Sequence, residues 1–348
     1  MRSLPQMLKP PVRYALVLLV FGSLCRAEQG QQQFASLGDF KLVSGEVVRD
    51  CRIGYRTLGQ LNRDGSNAIL VPTWFGGVTQ RMLDLAGPGK LADSSKYFVV
   101  LVDALGNGVS TSPSNSKLQP RRKFPQIAIR DMVNSQYQLL TQVLHIHHLR
   151  AVMGISMGGM QTFQWMVSYP NFMDKAVPIV GSPRLAAYDL LLWQTQIDMV
   201  REDANWKNGD YTEQPARTAL AEMGELMLTT PEHYNRETTR QQVGDRIAMN
   251  AKNASFDAND RIRQAQAMMA LDISQDFGGS MEKAASAVRA KALVIVSATD
   301  QMVTPGPAKD FARLLGAELW ELHDDCGHWA TVCEDANITA RVGAFLER

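Results

Sequence analysis

The feature that most constrains this chain is a series of short, unbroken apolar runs separated by longer amphipathic stretches. AILVPTWF (68–75), YFVVLVDAL (97–105), LRAVMGIS (149–156), DKAVPIVG (174–181), KALVIVSATD (291–300) and AELWELHDD (317–325) are continuous rather than alternating. A strand with one wet face alternates apolar and polar residues, whereas a continuous run is covered on both faces, as in a parallel sheet. Parallel neighbours need long crossovers, and IRDMVNSQYQLLTQVLHI (129–146) and GPAKDFARLLG (306–316) have the length and apolar stripe for crossover helices. FKLVSGEVVRDCRIGYRTLG (40–59) alternates instead, which predicts an antiparallel N-terminal hairpin. The expected fold class is α/β with a mostly parallel central sheet.

Between 185 and 290 the alternation of strand and helix stops. LLLWQTQIDMV, ARTALAEMGELML and DRIRQAQAMMAL are helical patterns with no strand between them, and the methionines there suit ordinary helix packing. The expected organisation is a sheet core in two parts, 34–184 and 291–348, with a helical cap at 185–290 inserted before the last two strands. With 348 residues, 45% of them hydrophobic, the chain is long enough for one elaborated domain. Its net charge of +1 and scattered basic residues point away from nucleic acid and polyanions as partners.

Residues 1–27 read as a cleaved secretory signal. Arg2, Lys9 and Arg13 precede the apolar run YALVLLVFGSL (14–24), and Cys25 and Ala27 supply the small residues of a cleavage site. The run is well short of the roughly 20 residues needed to span a bilayer, so no membrane association is expected after cleavage. The expected location is exported, periplasmic or secreted. Cys51, Cys326 and Cys333 then remain. The simplest expectation is three buried thiols, with Cys326 and Cys333 the sequence-local pair if a disulfide forms. No cysteine or histidine pair has metal-site spacing, and HIHH (145–148) reads as the polar end of a helix, so neither metal nor cofactor is expected.

One stretch carries chemistry. GISMG (154–158) follows a buried run and precedes the helical pattern MQTFQWMVSY, which is the context of a nucleophile elbow. Ser156 would sit in a strained strand-to-helix turn, with glycines two residues away on each side because side chains there would strike neighbouring backbone. A serine hydroxyl needs a base, and the base needs an orienting acid. Asp300 ends one apolar run and His328 follows the last, both at strand carboxyl ends, where open α/β sheets gather their sites. His323 is a rival base, and Asp324 and Asp325 are rival acids. For the oxyanion, the donors expected are the N–H of Met157 and that of Phe75 or Gly76, in the glycine turn TWFGG.

These motifs resemble the homoserine O-acetyltransferase (MetX-like) branch of the α/β hydrolases. The likeness runs from about 40 to 345 and is carried by YRTLGQLN (55–62), NAILVPTWFGG (67–77), FPQIAIRDMVNSQ (124–136), GISMGGMQTFQW (154–165) and the Gly327-His328 pair. The resemblance implies the α/β-hydrolase fold, a triad of Ser156, Asp300 and His328, and oxyanion donors at Phe75 and Met157. It also implies an aspartate after the catalytic histidine, where this chain has Trp329, and a substrate-binding arginine in the cap, for which Arg184, Arg201 and Arg217 are the stand-ins. Trp74, Trp329 and Arg184 are therefore the substrate-pocket candidates.

Without the aspartate an amino-acid ammonium has no ion-pair partner, and acyl-CoA is a cytoplasmic donor. The expected activity is hydrolysis of a small-molecule carboxylic ester or thioester by an exported serine enzyme. The alternatives are a homoserine-type O-acyltransferase and a catalytically inactive binding module. Self-association, if any, is expected to give a homodimer.

Overall fold

The structure is a computed structural model that describes residues 30–348. The expected signal at 1–27 lies outside them. Eight strands form the central sheet: β1 (Gln33–Lys41), β2 (Val47–Leu58), β3 (Ala68–Pro72), β4 (Phe98–Val102), β5 (Leu149–Ile155), β6 (Met173–Ile179), β7 (Lys291–Ser297) and β8 (Glu318–Leu322). Their order is β1-β2-β4-β3-β5-β6-β7-β8. β1 and β2 pair antiparallel, β2 joins β4 antiparallel, and every later pairing is parallel. The six continuous apolar runs are β3 to β8 and the alternating segment is the hairpin.

Two cores explain why the runs are continuous. Ile69, Val99, Leu101, Ala151 and Met153 point into one apolar cluster, while their neighbours Ala68, Leu70, Val100 and Val152 point into the other. Both faces of these central strands are thus out of water, each large aliphatic contributing about 1.5–3 kcal/mol by its burial, whereas the edge strand β8 stays partly exposed. Helices α1 (Ile129–Gln138) and α2 (Met157–Ser168) cover one face, and the last helix, α10 (Asp335–Glu347), sends Ile338, Val342 and Phe345 into the opposite cluster. His145–His148 follow the helical segment, where His148 bonds the exposed carboxylate of Asp174.

From β6 to β7 the chain is helical: α3 (Ala187–Glu202), α4 (Arg217–Leu228), α5 (Pro231–Glu237), α6 (Val243–Asn253), α7 (Ala258–Met269) and α8 (Met281–Ala287). α3 packs on α7, and α4 packs on α6. α8 lies against α2 and α9 (Gly306–Leu315), under the sheet's helical layer. α7 is the element that docks the others onto the sheet side. Gln264 accepts the Gly76 amide at 2.9 Å and donates to the Leu105 carbonyl, while Asp260 accepts the amide and hydroxyl of Ser114 at 2.9 and 2.5 Å. No helix among the described residues is long and apolar enough to cross a membrane.

The expectation of three separate thiols is corrected. Cys326 and Cys333 form a disulfide across the short helical turn that follows β8. Their proximity comes from that turn, whose single winding sequence spacing alone does not reveal. Cys51 is free and fully buried, and burial pushes its thiol up to about 12, which leaves it inert.

Candidate active site

Ser156 caps α2 at the carboxyl end of β5, with φ 58° and ψ −121°. That left-handed conformation is strained for a serine, and the flanking glycines make it affordable. A Cβ on Gly154 would lie 2.4 Å from the Gly158 carbonyl, and a Cβ on Gly158 would lie 2.6 Å from the Pro72 carbonyl oxygen on β3. Strand, turn and helix are therefore packed backbone to backbone, and the hydroxyl is the part that projects.

The loops after β7 and β8 bring the other two groups to it. His328 Nε2 lies 2.9 Å from Ser156 Oγ, and His328 Nδ1 lies 2.7 Å from Asp300 Oδ2. The second oxygen of Asp300 accepts the amides of Met302 and Val303 at 2.8 and 2.9 Å. With Asp300 accepting from Nδ1–H, Nε2 is left as an acceptor for the serine proton. All three residues are buried.

The rivals are engaged elsewhere. His323 is exposed, Asp324 accepts the Cys326 amide, and Asp325 pairs with Arg236 and His233 of α5. His233, Cys326 and Cys333 have their donor atoms within 4.8 Å of one another, but both sulfurs are committed to the disulfide.

Of the oxyanion candidates, Gly76 requires correction. Its amide already donates to Gln264 Oε1 on α7. The amides of Phe75 and Met157 donate to no protein acceptor among the described residues. The Phe75 ring packs edge-on against Trp193 and Phe256, which fixes the loop.

A cavity of about 520 Å³ lies over Ser156 and His328, walled by Trp74, Phe75, Trp193 and Trp329 among others. Trp329 is 39% exposed, so its indole faces the cavity rather than the core. Arg184, expected in the pocket, is not there: its backbone bridges Asp272 and its guanidinium pairs with the same carboxylate at 3.4 Å. Arg201 lines a separate surface cleft, and Arg217 donates to the carbonyls of Ala251, Lys252 and Ala254 at the end of α6. The arginines in the cavity wall are the exposed Arg81 and, on α7, Arg261. Sequence reasoning passed over the latter because DRIRQAQAMMAL presents Arg261 and Arg263 alike, yet Arg263 turns to the Phe124 carbonyl.

A buried serine, imidazole and carboxylate in hydrogen-bond series, on an eight-stranded α/β sheet, define the serine-hydrolase class. A family model described as the alpha/beta hydrolase fold matches residues 84–332. The chain is 30% identical over 332 residues to an ethyl acetate hydrolase of Pseudomonas veronii, covering 91% of this chain and 95% of that protein. It is also 30% identical over 332 residues to a homoserine O-acetyltransferase of Trichormus variabilis, covering 88% and 91%. The crystal structure of an acetylester hydrolase from Corynebacterium glutamicum superposes with a TM-score of 0.86 at 28% identity, covering 91% of this chain and 96% of that one. The chain belongs to the α/β-hydrolase family, in its homoserine O-acetyltransferase (MetX-like) branch, and is an enzyme of the esterase or acyltransferase class.

Proposed function

We propose that this enzyme is an exported serine esterase that hydrolyses small carboxylic esters or thioesters through an acyl-enzyme on Ser156. The observation that carries the reading is the unbroken series Ser156–His328–Asp300 at the floor of the cavity. Ser156 Oγ attacks the carbonyl carbon as His328 Nε2 takes its proton. The tetrahedral oxygen is met by the amides of Phe75 and Met157. The C–O or C–S bond to the leaving group breaks as His328 returns the proton to it. Water then adds to the acyl carbon with His328 as base, releasing the acid and restoring the serine.

Water rather than an amino-acid acceptor is favoured by the indole of Trp329 beside His328, which offers no charge to an ammonium group. Export is supported by the leader pattern at 1–27 and by the disulfide, a bond that persists in oxidising compartments. A second reading, transfer of the acyl group to a homoserine-like alcohol, is favoured by the identity to homoserine O-acetyltransferases and shares the first half-reaction.

A fluorophosphonate probe should label the wild type and fail to label Ser156→Ala, and hydrolysis of p-nitrophenyl acetate should fall by about 10⁴-fold or more in Ser156→Ala and in His328→Ala. Near wild-type rates in either variant refute the assignment. Faster acetyl transfer from acetyl-CoA to homoserine than hydrolysis of simple esters would reverse the ranking of the two readings.

A further inference from the structure

Between α5 and the turn after β8, four groups with metal-binding chemistry meet. Cys326 Sγ lies 3.3 Å from His233 Nδ1 and 4.0 Å from Asp325 Oδ1, and that nitrogen and oxygen are 3.4 Å apart. Cys333 completes the group: the donor atoms of His233, Cys326 and Cys333 all lie within 4.8 Å of one another. A tetrahedral zinc, with Zn–S of about 2.3 Å and Zn–N or Zn–O of about 2.0–2.1 Å, sets its ligand atoms roughly 3.3–3.8 Å apart. The three separations to nitrogen and oxygen lie in or close to that range. The sulfurs are closer because they are bonded to each other.

Local structure holds the cluster in place. Thr230 Oγ1 accepts the His233 amide at 3.2 Å and donates to the Asp325 carbonyl at 2.6 Å, so one hydroxyl ties the imidazole of α5 to the turn. Arg236 Nη2 lies 2.9 Å from His233 Nδ1 and 3.0 Å from Asp325 Oδ1. A guanidinium can only donate, so Nδ1 carries its lone pair, the form of histidine that binds a metal. A positive charge thus already stands over these acceptors, on an exposed side chain that a metal ion would displace. Cys326 is buried, His233 and Asp325 are half-buried and Cys333 is exposed, which leaves the cluster sheltered on one side and open to reductant and ion on the other. Cys51, the free cysteine among the described residues, is buried on β2 and takes no part.

We infer that reduction of the Cys326–Cys333 disulfide opens a four-ligand site for a zinc-class cation, made of both thiolates, the His233 imidazole and the Asp325 carboxylate. A dithiol reductant supplies two electrons and two protons, becomes a disulfide itself, and leaves two thiols on the enzyme. The cation then binds both sulfurs as thiolates, and their two protons pass to solvent. Two thiolates, an imidazole and a carboxylate form a donor set that suits Zn²⁺ and Co²⁺ rather than Mg²⁺ or Ca²⁺. The disulfide closes the turn only on itself, whereas the cation joins the turn to α5, whose histidine is 93 residues away from Cys326 in sequence. Because that turn carries His328, the metal replaces the disulfide as a brace on the catalytic imidazole. None of this depends on which acyl acceptor the enzyme uses.

Cobalt reports on such a site directly. The full enzyme is reduced with a phosphine, freed of excess reductant without air, and titrated with Co²⁺ while its absorbance is followed. The reduced wild type should bind one Co²⁺ per chain with a thiolate-to-cobalt charge-transfer band in the near ultraviolet and the strong visible bands of tetrahedral coordination, all abolished by Zn²⁺. The oxidised enzyme should show neither feature. Cys333→Ser should weaken the charge-transfer band, and His233→Ala should raise the Kd by about 100-fold or more, since even a residue that only orients a metal ligand is worth roughly 10- to 100-fold in affinity. Where a variant fails to fold, the reduced wild type decides: saturating Zn²⁺ should slow alkylation of Cys326 and Cys333 by iodoacetamide by about tenfold, because a metal-bound thiolate is not available as a nucleophile. No charge-transfer band at saturating Co²⁺, an equal band in the oxidised enzyme, an unchanged Kd in His233→Ala, or alkylation indifferent to Zn²⁺ overturns the inference. So does loss of the fold on reduction, since the site needs α5 seated against the turn.

Discussion

At Trp329 the proposed preference for water over an amino-acid acceptor rests on one side chain. The resemblance to the transferases implies an aspartate at this position, and the indole removes its charge while adding apolar surface beside His328. Because the residue lines the cavity and is partly exposed, Trp329→Asp should fold with stability within about 1 kcal/mol of the wild type, as surface substitutions do. It should raise homoserine-dependent release of CoA from acetyl-CoA by about tenfold, the worth of one new ion pair in a partly closed pocket. Unchanged transfer in a folded variant would show that the ammonium site needs more than this carboxylate. Ser156 and Arg261 mark the limits of what single residues reveal in a sequence. The serine was legible because close backbone approach dictates glycine at 154 and 158, and that demand is local. Arg261 was not legible, since its place in the cavity wall is set by a helix 65 residues away, where Gln196 accepts from it.

At the level of elements, the turn at Gly327–Trp329 holds the imidazole, and two devices hold the turn. The disulfide brackets it from Cys326 to Cys333, and α5 clamps it from outside, Thr230 Oγ1 donating to the Asp325 carbonyl at 2.6 Å and Arg236 pairing with the Asp325 carboxylate. With a sequence separation of only seven between the two cysteines, the loop entropy removed from the unfolded chain is small, about 3 kcal/mol or less. The bond thus acts more on the position of His328 than on overall stability. Reduction, or Cys333→Ser, should lower kcat by roughly tenfold, short of the 10²-fold that an ångström of misplacement costs, since α5 still clamps the turn. The midpoint of thermal unfolding should move by only a few degrees. Equal activity of reduced and oxidised enzyme would show that α5 alone suffices. The strands were legible as elements because two-sided burial writes a continuous apolar run; the disulfide was not, since cysteine spacing says nothing about which way a turn winds.

For the molecule as a whole, the question is how the helices from 187 to 269 stay seated on the sheet core, because the site is built from both. α7 makes the joint, and Asp260 is its least ordinary member: a fully buried carboxyl bonded to the amide and hydroxyl of Ser114. Burial raises it from 3.8 to about 8, the charge of Asp257 adds to the shift, and the Ser114 bonds oppose it. In the folded protein this carboxyl keeps its proton up to about pH 8, whereas in the unfolded chain it loses it near pH 4. Between those values the folded state holds a proton that the unfolded state does not, so this group's contribution to stability is greatest at low pH, declines as pH rises, and is exhausted above about pH 8. The loss between about pH 5 and pH 8 is at most about 4 kcal/mol for a group so deeply buried. Asp260→Asn keeps the shape and an acceptor oxygen for the Ser114 amide while deleting the ionisation. Denaturant midpoints taken across that range should therefore fall more steeply for the wild type than for the variant, and the two curves should converge on the acid side. Parallel curves would mean that Asp260 is ionised in the folded protein and that the joint is an ordinary charge-assisted hydrogen bond.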